Sequence, residues 1–128
     1  MNRKVKLIAP TLLFALMAII LISCNRPIER SEYSTREVIY EESKSVIMEQ
    51  LLSPTSAIFP DFESTFVVDN GKEIVYEEIV YHTYTVNAYV DSHNAFGTMI
   101  RQKYQVIIGL PSNSEDAGTV YYEIVYLE

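Results

Sequence analysis

Asp91, Ser92 and His93 are consecutive and carry the side-chain types of a hydrolase relay. Such a relay needs nucleophile, base and orienting acid stacked within hydrogen-bond reach, which three neighbours in a tight hairpin cannot achieve. Asp and Asn in a turn bond their own backbone instead. The two histidines, His82 and His93, lack the His-x-x-x-His or cysteine-pair spacing of a zinc site. Glu77 and Glu78 are adjacent, and in a strand they would face opposite ways, unlike the facing carboxylates of a glycosidase. Gly71, Gly97, Gly109 and Gly118 are isolated and build no phosphate-cradling loop. The sequence therefore yields no catalytic residue, no metal site and no cofactor, and the chain reads as a non-enzyme.

Cys24 is the single cysteine. Ahead of it comes a basic head with Arg3, Lys4 and Lys6, then an uncharged run of 16 residues from 7 to 22. A basic head, an apolar middle and a small residue before a cut describe an export signal. As a helix that run would reach only about 24 Å, short of the ~30 Å of a bilayer core. Pro10 weakens a helix there further.

The residues Leu21-Ile22-Ser23-Cys24 resemble the lipobox of bacterial lipoproteins. The resemblance implies removal of 1–23, a diacylglycerol thioether on Cys24, and a membrane held through that lipid. Two or more acyl chains anchor stably where one is marginal. Asn25 in place of aspartate implies the outer membrane, facing the periplasm, in a Gram-negative cell. In a Gram-positive cell the anchor would sit on the outer face of the cell membrane. With its one cysteine lipidated, the domain has no disulfide and depends on packing.

Removing Arg3, Lys4 and Lys6 leaves 7 basic residues against 17 acidic ones, a formal charge of −10. That balance argues against nucleic acid, whose phosphates are bound by lysine and arginine. It also opposes adhesion to anionic lipid headgroups.

The elements follow from periodicity. Residues 24–33 read as a tether, and 34–128 as a single domain. Ser34-Thr35-Arg36-Glu37 fits a capping box. Ile39, Tyr40, Val46, Ile47 and Leu51, with Ser43 in line, then form one helical stripe. Val38, Met48 and Leu52 fall off that stripe; they are expected to pack under the following loop, where Ile58 and Phe59 look like buried anchors, the alternative being a partner surface. Strands are predicted at 63–69, 72–81, 82–90 and 100–108, with a last one at 119–127. Asn70-Gly71 is a two-residue hairpin signal. Glu-Ile-Val-Tyr occurs at 73–76, 78–81 and 123–126. The odd offset of the first two copies means a bulge, a strand buried on both faces, or two separate strands. The expected class is α+β: one N-terminal helix on a four- or five-stranded antiparallel sheet.

Two stretches carry a second resemblance. Leu52-Ser53-Pro54-Thr55-Ser56-Ala57-Ile58-Phe59-Pro60 and Tyr89-Val90-Asp91-Ser92-His93-Asn94-Ala95-Phe96-Gly97-Thr98-Met99-Ile100-Arg101 are similar to parts of small, poorly characterised bacterial envelope and phage-associated domains. The likeness covers about residues 46–108. It implies the helix-plus-sheet fold and brings no activity to carry over.

Ten tyrosines and no tryptophan stand out. Alternation sends Tyr84, Val86, Ala88 and Val90 under the helix, and Tyr89, Arg101, Lys103 and Tyr121 to the opposite face, with Glu123 and Val125 exposed beside Tyr121. Aromatic and arginine side chains dominate interface energetics. The expectation is a binding or accessory module, an inhibitor or assembly factor, whose open sheet face takes an envelope protein or glycan. The alternatives are a structural envelope lipoprotein with no single tight partner and an envelope hydrolase.

Overall fold

The computed structural model describes Arg3–Leu7 and residues 29–128, with side chains from Thr35 onward. The rest of the expected signal segment past Leu7, the lipobox-like residues 21–24 and the expected lipidation at Cys24 lie outside the described residues.

Helix α1 (Glu29–Met48) starts earlier than the capping box predicts, so part of the expected tether is helical. No glycine or proline occurs between Pro27 and Pro54. Nothing in that stretch opposes backward growth of the helix, and Ser34 is an interior residue. At the other end the turns tighten: the Gln50 amide donates to the Ile47 carbonyl at 2.9 Å and the Leu51 amide to Met48 at 3.3 Å. Pro54 then closes off the helical conformation of Ser53.

The stripe is the buried one. Ile39, Tyr40, Ser43, Val46, Ile47 and Leu51 all face the sheet, as expected. Met48 is exposed and Leu52 is 81% exposed, so neither packs under the following loop. The chain turns away through a 3-10 turn at Pro54–Ser56 and crosses to the sheet instead. Ile58 bridges Asp91 there through backbone hydrogen bonds of 2.7 and 3.0 Å. Of the two expected anchors, Phe59 packs on the core while Ile58 points outward.

The strands are β1 (Arg3–Leu7), β2 (Val67–Tyr76), β3 (Ile79–His93), β4 (Met99–Pro111) and β5 (Thr119–Leu127). Their order is β1-β5-β4-β3-β2, and every neighbouring pair is antiparallel. Among the described residues the fold is α+β, with one helix on a sheet of four strands from 67–127 and β1 added at its edge. Among the described residues no helix is long and apolar enough to cross a membrane.

Three predicted runs, 63–69, 72–81 and 82–90, resolve into two strands. Asn70-Gly71 is no hairpin but a break in the β2–β3 register between Asp69 and Glu73. Gly71 supplies one left-handed residue, at φ 59°. The Asn70 side chain accepts from Thr85 Oγ1 at 2.8 Å and donates to Thr83 Oγ1 at 3.3 Å, fastening the bulge to β3. The true turn is Glu77-Glu78, with φ 48° and 68°. Two positive φ values in a two-residue loop match the twist of paired strands. The first two Glu-Ile-Val-Tyr copies therefore flank a turn on separate strands, with Ile74 opposite Tyr81 and Tyr76 opposite Ile79.

Under the helix lie Val67, Val86, Val90, Tyr104, Val106, Ile108, Val120 and Tyr122. A polar thread crosses this core. Ser43 Oγ donates to the Tyr40 carbonyl at 2.6 Å and lies 3.2 Å from the Tyr104 hydroxyl, while Tyr40 donates to the Pro60 carbonyl at 2.6 Å. Burial raises both phenols, that of Tyr104 to about 12.

Candidate functional site

The helix covers one sheet face and leaves the other uncovered. Register sets the residues of this open face in rows: Asp91 with Arg101, Tyr89 with Lys103, and Asn87 with Gln105 and Tyr126. Next come Thr85 with Ile107 and Glu123, then Thr83 with Gly109 and Tyr121.

The four residues expected to form one partner surface do not come together. Three of them do. Lys103 is directly opposite Tyr89, and the Arg101 guanidinium stacks 4.0 Å from the centre of the Tyr89 ring. Arg101 also holds Asp91 through two hydrogen bonds, 2.8 and 2.9 Å. These bonds keep the Asp91 carboxyl below its usual range and raise Arg101. The fourth residue, Tyr121, lies opposite Gly109, six residues along β4 from Lys103. At ~3.3 Å per residue that is roughly 20 Å away.

Tyr121 and Glu123 were expected to be exposed and are not: they keep 3% and 7% exposure. Two elements cover them: the β2–β3 hairpin, twisted further by the β2 bulge, curls over the open face at Tyr121, and β1 pairs along β5 with Arg3 opposite Glu123 and Val5 opposite Tyr121. Tyr76 on that hairpin meets Tyr121 at 5.4 Å between ring centres, and Tyr81 meets it at 5.8 Å. Tyr121 donates its hydroxyl to Glu123 Oε2 at 2.9 Å. Val125 is exposed as expected, at the register shift that sets Tyr126 rather than Val125 opposite Gln105.

Below the curled hairpin is a half-open cleft of about 390 Å³, within the range of small-ligand pockets. Tyr76, Tyr121, Ile74 and Ile107 give it apolar walls, and Lys72, Thr83, Asn70 and Glu123 give it polar groups. Sequence reasoning missed Lys72, Ile74 and Tyr76. The odd spacing of Glu-Ile-Val-Tyr was the available signal, since a turn between the copies brings Tyr76 onto the same face as Tyr81 and Tyr121.

The hydrolase-like residues are dispersed. Asp91 is held by Arg101 on the open face, Ser92 is buried on the opposite side, and His93 is exposed. His82 binds Asp69 Oδ1 at 2.7 Å. The Gly71 amide and then His82 hold that carboxyl below its usual range. Glu77 and Glu78 are the turn. Among the described residues no group of three or more His, Cys, Asp or Glu is arranged to hold a metal ion.

In comparisons with known proteins, no family model, curated protein or solved structure matches the chain.

Proposed function

We propose that this chain is an exported lipoprotein, held to a bacterial membrane through lipid on Cys24, and that its α+β domain is a binding or accessory module of the envelope. In this reading it inhibits or helps assemble a partner and catalyses nothing. The lipobox-like Leu21-Ile22-Ser23-Cys24 supports the anchor. The cleft beneath the β2–β3 hairpin, on the sheet face the helix leaves uncovered, carries the binding reading. It joins aromatic walls, which suit both peptide side chains and sugar rings, to a small set of polar groups. The ligand is an envelope protein or a glycan.

Two measurements test this. Labelled fatty acid should mark the wild type and be absent from Cys24→Ala. Detergent-solubilised wild-type protein should co-purify a partner or glycan that Lys72→Glu/Val75→Asp loses at unchanged melting temperature. Both positions are exposed, so these changes probe the cleft rim without disturbing buried Tyr121. Label on Cys24→Ala, or equal recovery by both proteins, would count against the respective half of the proposal.

A further inference from the structure

We propose that the outer edge of β5 is a strand-addition site, and that its occupant is an extended segment of an exported protein with a cationic side chain opposite Glu123. The idea deepens the binding reading and rests on it in one respect: removal of residues 1–23 vacates the edge that β1 fills.

An open sheet edge is a row of unpaired amides and carbonyls, and proteins blunt such edges with bulges, charges and proline. The β2 edge carries such devices. Its register breaks between Asp69 and Glu73, and Asp69, Lys72 and Glu73 are exposed along it. Along Thr119–Tyr122 the β5 edge has none of them, and Glu123 is the one charge beside that run. Its pairing with β4 is regular from Ile124 to Tyr121, and Val120, Tyr121 and Tyr122 follow one another with neither proline nor lysine. β-branched and aromatic residues favour extended pairing.

The chain itself contains an example of what this edge accepts. β1 pairs antiparallel along it, Arg3 opposite Glu123, Val5 opposite Tyr121 and Leu7 opposite Thr119. The segment is Arg-Lys-Val-Lys-Leu, alternating basic and apolar residues from Lys4 onward. Glu123 and Tyr121 also line the cleft, so a strand on this edge runs beside two of the cleft's lining residues. Main-chain bonds would supply affinity, and the cleft would read alternate side chains. The formal charge of −10 on residues 24–128 favours a cationic partner further.

The test uses the full chain with Cys24→Ala, in detergent, beside the same chain carrying Val5→Pro, which removes a ladder donor from β1. Amide exchange is read along residues 119–123. Exchange should quicken at least tenfold in the Val5→Pro chain. A synthetic peptide of residues 1–8 should restore protection, while the same peptide with Arg3→Asp should not. Unchanged exchange on Val5→Pro, peptide binding that leaves residues 119–123 unprotected, or equal binding of the Asp peptide would each overturn the proposal. Protection by chitotetraose in place of the peptide would overturn it in favour of a glycan. Fatty-acid labelling of the wild type is read separately. Its failure removes the vacating step, whereas the exchange result judges the edge itself.

Discussion

Tyr81 and Tyr121 close on each other over Gly109, where an added Cβ would lie 2.9 Å from the Tyr81 Cβ and 3.2 Å from the Tyr121 Cβ. The missing side chain is what lets the curled hairpin reach the open face and form the cleft. Gly109→Ala should therefore cost about 1–3 kcal/mol, as overpacking does, and should push Tyr81 and Tyr121 apart. Denaturant unfolding measures the loss. Stability unchanged within about 0.5 kcal/mol, the range of surface changes, would mean the tyrosines are not packed as described.

The helix and the central strands were legible in the sequence because one periodicity governs each. Ile39, Tyr40, Ser43, Val46, Ile47 and Leu51 repeat at helical spacing and bury together. Tyr104, Val106 and Ile108 alternate and bury together. The cleft was not legible, because it depends on where β2 bends. Asn70-Gly71 has the composition of a turn, and closing there would set 74–76 against 65–67, whereas in the fold Ile74, Val75 and Tyr76 pair with Tyr81, Val80 and Ile79. Pairing across Glu77-Glu78 satisfies that run, even though two glutamates must adopt positive φ. Tyr121 follows from the same choice: alternation gives its face correctly, but the curled hairpin covers it, while β1 pairs beside it and Glu123.

The Glu77-Glu78 turn is thus a local strain that pairing offsets. Non-glycine residues in the left-handed region cost roughly 1–2 kcal/mol each. Glu77→Asn with Glu78→Gly, the favoured pair for such a turn, should raise stability by about 1 kcal/mol. Thermal melting checks this, and a lower melting temperature would contradict the assigned turn.

Ile47 is fully buried against the sheet. Ile47→Ala should cost about 2–5 kcal/mol in denaturant unfolding, while Leu52→Ala, at an exposed position, should cost within about 0.5 kcal/mol. The reverse ranking would place the wrong helix face on the core.

The Tyr104 hydroxyl ionises near 12 in the fold and near 10 in an unfolded chain. A raised acid means the neutral phenol is the form the fold favours. Its contribution is whole below pH 10 and is lost as pH rises from about 10 to about 12. Melting temperature should fall over that window. Tyr104→Phe should show a smaller fall, together with a lower melting point at pH 7 from the lost contact with Ser43. An equal alkaline fall in both proteins would assign the effect elsewhere.

The central claim is that the face left open by the helix binds a partner through the cleft beneath the β2–β3 hairpin. Val75 is 72% exposed and lines that cleft, whereas Leu52 is 81% exposed in the segment just after the helix, apart from the cleft-lining residues. A photo-crosslinking amino acid at each position, irradiated in intact cells, reads the two surfaces directly. The account predicts a discrete adduct from position 75 and none from position 52. Adducts from position 52 alone, or from neither position, would contradict it.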